Sequence, residues 1–375
     1  MKFNISTQEL NYLISKIQNI VPQKPTIPIL SNFLIEASND ELILTATDLM
    51  VGVRCSTEVK ILEEGATTLP AKKFAQLARE LTTANIEISS NSNQITTIIS
   101  GSSRFKLNGM SKEEFPALPD LSNADTFMIK QKNLKDLLYR TSFAVSKEDN
   151  RYVLTGVLMQ IANGEVTFVG TDGKRLARSH APIDIPASFT NQSIIPLKAI
   201  DEILKNLTDE DIEVKIALMP DKIAVLVNQT LLLSKLLAGD YPDIQRVIPE
   251  KSDIVLSLHR EELMTMLRQV SLFIADQNHS VRFTFTDGEL RLTANTLDIG
   301  EGHVGMPVNY QGNKLEIAFN PGFFIDILRH CKEETVTLGL VDPYNPGIIT
   351  DGEQSDKLNL ASPLFIIMPM RLSED

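Results

Sequence analysis

The chain has 375 residues, 43% hydrophobic and 22% charged, with a formal net charge of −12. That length predicts two to four domains, each able to bury a core without disulfides or metals, and no apolar run approaches the ~20 residues of a membrane span. The first residues lack the apolar stretch of a signal peptide, the two cysteines, Cys55 and Cys331, read as buried thiols of a reducing cytoplasm, and the acidic balance taken alone argues against a nucleic-acid binder, although net charge does not fix where charges lie.

In chain order, a strand is predicted over 1–5 and a helix over 7–19, with Leu10, Leu13, Ile14 and Ile17 on one face. Ser6 and Glu9 make a capping-box pattern at its start. Alternating strands lead to L-I-L-T-A-T-D-L around Asp48. A second strand and helix follow in T-T-L-P-A-K-K-F-A-Q-L-A-R (67–79), entered at Pro70.

The same order then recurs. A strand over 127–129 precedes a helix over 132–143 carrying Leu134, Leu137 and Leu138. V-T-F-V-G-T-D-G surrounds Asp172, and S-I-I-P-L-K-A-I-D-E-I-L-K (193–205) is entered at Pro196. A third round has a strand over 254–258 and a helix over 261–272 with Leu263, Met266, Leu267 and Val270. L-R-L-T-A-N-T-L surrounds Thr296, and I-A-F-N-P-G-F-F-I-D-I-L-R (317–329) is entered at Asn320, a capping residue. Asp48, Asp172 and Thr296 are each 124 residues from the next. A repeat at that spacing means three copies of one α+β domain, each about two helices and eight short strands. Polar, Pro-containing stretches near 121–125 and 249–253 read as linkers, giving domains 1–123, 124–251 and 252–375.

The six predicted helices sum to +5, which leaves −17 on the rest of the chain. On any one helix this is an ordinary solvated face. Six such helices gathered on one surface would face an anion, with an acidic exterior behind them.

No H-E-x-x-H, G-x-x-x-x-G-K-[ST] or G-x-S-x-G occurs, and His180, His259, His279, His303 and His330 lack ligand spacing. Asp48 and Asp172 repeat across domains, which argues for a shared turn, since a catalytic pair must converge in one cleft. The expectation is a non-enzymatic protein with no metal or cofactor.

P-T-I-P-I-L-S-N (25–32), S-R-F-K-L (103–107), R-Y-V-L-T-G-V-L (151–158), T-D-G-K-R-L-A (171–177), Y-P-D-I-Q-R-V-I-P (241–249) and M-P-M-R-L (368–372) occur in that order. Through them, and over its full length, the chain resembles the β sliding clamps of bacterial DNA polymerase III. The resemblance implies three repeated DNA-clamp domains, each with two helices and two antiparallel sheets. It implies a head-to-tail homodimer forming a six-domain ring, helices lining the pore. Arg104, Phe105 and Leu107 of one copy would meet Leu272 and Phe273 of the other. Lys24, Lys72, Lys73, Arg104, Arg151 and Tyr152 would touch double-stranded DNA without reading sequence. Lys24 stands where the family often has Arg, a point charge in place of a bidentate fork.

The resemblance also implies a peptide pocket for the replicative polymerase, the clamp loader and other clamp-binding-motif proteins. Leu154, Thr171, Gly173, Lys174, Arg175, Leu176, Pro242, Arg246, Val247, Asn320, Phe323, Ile367, Met368, Pro369, Met370 and Arg371 match it. Leu154, Leu176, Val247 and the methionines would form an adaptable apolar slot, and Arg175, Arg246 and Asn320 would hold peptide carbonyls or carboxylates. The tail Ser373-Glu374-Asp375 and the loop Pro343-Tyr344-Asn345-Pro346-Gly347 depart from the family pattern. The competing readings are a repeat-built peptide scaffold without DNA enclosure and a hydrolase whose site is not visible in the sequence.

Overall fold

A computed structural model describes residues 1–274, 279–353 and 363–371. Among them are six α-helices: α1 (Thr7–Ile17), α2 (Ala71–Glu80), α3 (Gln131–Ser142), α4 (Leu197–Asn206), α5 (Arg260–Val270) and α6 (Pro321–Arg329). Each was expected, and the ends fall within three residues of the pattern, where helix termini fray. After α5 the chain tightens into a 3-10 turn, Ser271–Phe273.

The caps follow the sequence. At α1, Ser6 Oγ accepts from the Glu9 amide at 3.1 Å and donates to the Glu9 carboxylate at 2.7 Å. At α6, Asn320 Oδ1 accepts from the Gly322 and Phe323 amides, and Pro321 occupies the first helical position, whose amide needs no partner. The expected apolar face of α1 is fully used: Leu10, Leu13, Ile14 and Ile17 are at most 2% exposed. Each such side chain contributes about 2 kcal/mol.

The chain divides into two compact units, 1–132 with 198–236, and 133–197 with 237–375. In the first unit an eight-stranded antiparallel sheet runs Asp125–Lys130, Glu213–Met219, Lys222–Val227, Thr230–Lys235, Val51–Glu58, Glu41–Thr47, Asn32–Ser38, Gly65–Pro70. In the second unit the order is Ile254–His259, Thr335–Leu340, Gly347–Asp351, Leu364–Ile367, Arg175–Pro182, Glu165–Thr171, Gly156–Ala162, Asn191–Pro196. Strand for strand these are one topology. In both, the sheet is half from one sequence repeat and half from the next, joined by Thr230–Lys235 on Val51–Glu58 and by Leu364–Ile367 on Arg175–Pro182. Repeat and unit are therefore different divisions of the chain. The repeat is a unit of sequence; the compact unit is the seam between two repeats.

Each unit also holds a smaller sheet. The first unit has Lys60–Glu63, Lys2–Ser6, Asn85–Ser90, Ile95–Ser100 and, at the edge, Ser103–Asn108. The second has Gly300–Pro307 at the edge, then Glu289–Thr296, Val281–Thr286 and Leu315–Phe319. The core of the second unit is rich in rings: Phe283 meets Phe319 edge-on at 5.2 Å and Phe324 at 5.3 Å. No helix among the described residues is long and apolar enough to cross a membrane. The tail Ser373-Glu374-Asp375 and Leu372 lie outside the described residues.

Candidate functional site

The repeated T-D motif is the same turn built twice. Thr171 Oγ1 donates to Arg175 O and accepts from the Gly173 amide, while Asp172 Oδ1 accepts from the Lys174 and Arg175 amides at 2.9 and 3.0 Å. Thr47 Oγ1 donates to Val51 O and accepts from the Leu49 amide, and Asp48 Oδ1 accepts from Met50 and Val51 at 2.9 and 2.7 Å. The residue after the aspartate is left-handed in both, Gly173 at φ +82° and Leu49 at +74°. Glycine takes that conformation freely and leucine under strain. The expected shared turn is thus present in two repeats. In the third, Thr296 has no carboxylate to offer; its hydroxyl donates to Phe273 O at 2.7 Å.

Beside the second turn lies a cleft of about 430 Å³, lined by Arg151, Val153, Leu154, Thr171, Gly173, Leu176, Pro242, Asp243, Ile244 and Val247. Of the residues expected there, Leu154, Thr171, Gly173, Leu176, Pro242 and Val247 converge. Arg151, expected on DNA, is among the residues lining this cleft: a Cβ on Gly173 would sit 2.4 Å from its guanidinium. Val153, Asp243 and Ile244 were not anticipated. Ile244 and Val247 are three apart, the spacing of one helical face, and Asp243 caps their short 3-10 turn by accepting from the Gln245 amide. Arg246 stands out in solvent, 84% exposed, tied to Asp243 at 3.0 Å. Behind the cleft, burial pushes the Tyr241 phenol above its ordinary value.

The C-terminal group of expected residues runs alongside rather than into this cleft. Met368 N donates to Lys174 O, and Met370 N to Ala318 O, so the Met368–Arg371 segment crosses from the T-D turn to the strand entering α6. Met368 and Arg371 are exposed, and Pro369 and Met370 half-buried. Ile367 has no exposed surface and belongs to the core, where it can shape a pocket but touch nothing in it. Arg175 is also buried, 8% exposed, with its donors on Asp172, Asp326 and Phe143 O and its plane over the Phe323 ring. The loop before Gly347 is an Asx turn: the Tyr344 and Asn345 amides donate to Asp342 and hold its carboxyl below the usual range, leaving Tyr344 outside.

In the first unit Lys24, Lys72, Lys73 and Arg104 are exposed, with Lys72 and Lys73 side by side on α2. Phe105 is 36% exposed on the edge strand, where Leu107 is half-buried. In the second unit Tyr152 is exposed, Leu272 is 74% exposed and Phe273 lies over Gly302, where a Cβ would be 2.3 Å from the ring. The positive balance expected on the helices is smaller in practice. Arg140 is buried between Asp136 at 2.9 Å and Asp351 at 2.6 Å, and Lys132 pairs with Asp211. Among the described residues no three His, Cys, Asp or Glu side chains gather as a metal site requires. Burial pushes the Cys55 thiol up to about 12, and the Cys331 thiol upward as well.

Three domains of the DNA polymerase III beta subunit match in order: the N-terminal domain over 1–119, the central domain over 128–243 and the C-terminal domain over 245–371. The Beta sliding clamp of Chlamydia pneumoniae is 55% identical across all of both chains. The sliding clamp of Bacillus subtilis superposes with a TM-score of 0.94 at 27% identity over 99% of each chain. That of Pseudomonas aeruginosa bound to griselimycin superposes at 0.93 and 30% identity, over 99% of this chain and all of the other. With matched domains along nearly its whole length and a full-length relative at this identity, the chain belongs to the bacterial β sliding clamp family, the beta subunits of DNA polymerase III.

Proposed function

We propose that this sliding clamp closes by building between two copies the same seam it builds twice within one. The observation that carries this is the pair of smaller sheets. Lys2–Ser6 through Ser103–Asn108 repeats the order of Asp125–Lys130 through Thr230–Lys235. Gly300–Pro307 through Leu315–Phe319 repeats Val51–Glu58 through Gly65–Pro70. The chain therefore carries both halves of a further eight-stranded sheet, at opposite ends of its sequence. An edge strand left unpaired is a template for another chain. Transferring the internal register, in which Leu231 faces Arg54 and Leu233 faces Gly52, sets Arg104 opposite His303, Phe105 opposite Gly302 and Lys106 opposite Glu301. Phe105 then meets Phe273, and the exposed Leu272, Leu297 and Ile299 beside the edge are covered.

Two copies joined head to tail encircle duplex DNA. Enclosure supplies retention, so Lys24, Lys72, Lys73, Arg104 and Tyr152 need only weak, exchangeable phosphate contacts. No chemical step is assigned to the chain, which works in the cytoplasm. The cleft beside Gly173 receives the apolar anchors of partner peptides from the polymerase and the clamp loader, with Leu154, Leu176 and Val247 as its floor and Met368, Pro369, Met370 and Arg371 as its extension. Griselimycin on this chain would occupy the same place.

The test is retention. Sedimentation should give about twice the 41.7 kDa of one chain. Once loaded, the protein should stay on a nicked circle and leave when the circle is cut. Equal retention on linear DNA, or a stable monomer, would return the reading to a peptide scaffold.

A further inference from the structure

We propose that Arg175 is a positioning residue: it locks the wall of the docking cleft onto α6 and does not touch the docked peptide. This rests on the docking reading above. The guanidinium reaches three separate acceptors. Nε donates to Asp172 at 3.2 Å, one terminal nitrogen to Asp326 of α6 at 2.8 Å, and the other to Phe143 O at 3.1 Å. Its central carbon also lies over two rings, 4.6 Å from the centroid of Phe323 and 5.3 Å from that of Phe143. Three of its five N–H groups are committed inside the protein and only 8% of the side chain is exposed, which leaves little of it for a ligand.

What the arrangement does is mechanical. Asp172 is used twice, one oxygen holding the amides of the turn and the other holding Arg175. Turn, arginine and α6 thereby form one hydrogen-bonded body. Gly173 and Leu176, which line the cleft, flank the two residues so held. The first seam serves as an internal control. Position 51, the counterpart of 175, is valine, and Asp48 pairs directly with Lys198 of α4. The cleft beside that turn is about 210 Å³, half the volume.

The test uses Asp326, which is not among the residues lining the cleft. Griselimycin serves as the probe, with affinity measured by calorimetry on the full-length protein. Asp326→Asn, close to isosteric, should weaken binding about tenfold, and without ligand the Gly173 amide resonance should shift. Arg175→Lys should lose as much, because an ammonium keeps the charge but cannot span three acceptors. The double variant should bind no worse than Arg175→Lys alone. Unchanged affinity and an unmoved Gly173 resonance in Asp326→Asn overturn the proposal, as does full affinity in Arg175→Lys. If Arg175→Lys fails to fold, Asp326→Asn decides alone. Failure of the unaltered protein to bind griselimycin removes the docking reading itself, and this proposal with it.

Discussion

The two seams share strand order, turn and aspartate, yet one presents an apolar cleft and the other a cramped, mixed one. Side chains on a common backbone make the difference. At the second seam Gly173 has no side chain of its own, Arg151 lies above the turn, and Leu176 gives the floor an apolar surface. At the first, Leu49 fills the corner, position 52 is glycine, and Leu118 closes in until a Cβ there would lie 2.8 Å from it. Lys222 and Lys235 complete that lining. A duplicated fold thus supplies several equivalent positions, and an apolar cleft opens where side chains are withdrawn from one of them.

Converting one seam toward the other tests this directly. The largest effect is expected from Gly173→Leu, which copies Leu49 into the second turn. The backbone takes leucine there only under strain, as at Leu49, and the side chain and the displaced Arg151 occupy the cleft. Griselimycin affinity should fall at least about thirty-fold, or about 2 kcal/mol, by calorimetry; retained affinity would move the docking site elsewhere. Next is the seam between copies. Lys106→Glu faces Glu301 in the transferred register, so like charges meet. The dimer should weaken about tenfold by sedimentation, and Glu301→Lys should restore it; no restoration would refute the register.

Smaller is Gly52→Ala, which pushes on Leu118. A cost of about 1 kcal/mol in thermal unfolding is expected, relieved when combined with Leu118→Ala. Equal costs in both backgrounds would show that Leu118 does not set the first cleft.

The smallest effect separates the seams by pH. His330 and its counterpart Asn206 each donate to the carbonyl four residues back, at 2.7 and 2.9 Å. His330 stacks on Phe143 at 3.9 Å, and burial lowers its pKa. The folded protein therefore favours the neutral ring. That contribution is whole above the unfolded value near 6.5 and lost as pH falls from there through the folded value. Facing charges enter the balance, Asp326 favouring the cation and Arg175 and Arg329 opposing it. Below about pH 6.5 the melting temperature should drop less steeply in His330→Asn than in the unaltered chain; parallel curves would clear His330 of the effect.

Much of this was legible in the sequence. Helix stripes at three and four, Ser6 with Glu9, and Asn320 with Pro321 named the helices and caps because those signals are local. The shared turn was legible because Asp48 and Asp172 recur 124 residues apart, each directly after a threonine at the end of a predicted strand. The seam was not, since nothing in Thr230–Lys235 announces that its partner is Val51–Glu58 from the preceding repeat. Nor was the fate of individual charges. Arg175 was expected to hold peptide groups and Arg140 sat on a helix counted as net positive, and only the fold reveals the acids waiting for them, Asp326 and Asp351, both distant in sequence. Val153, Asp243 and Ile244 escaped notice because lining a cleft requires only a backbone that passes nearby.

In the proposed seam the Ser103–Asn108 edge of one copy meets the Gly300–Pro307 edge of the other, so a dimer has two joints of identical chemistry, each drawing on different surfaces of the two copies. A mixed pair in which only one copy carries Lys106→Glu keeps one joint whole and damages the other. Such a pair is a ring with a single weak latch, and its rate of escape from circular DNA would report the opening of one gate alone.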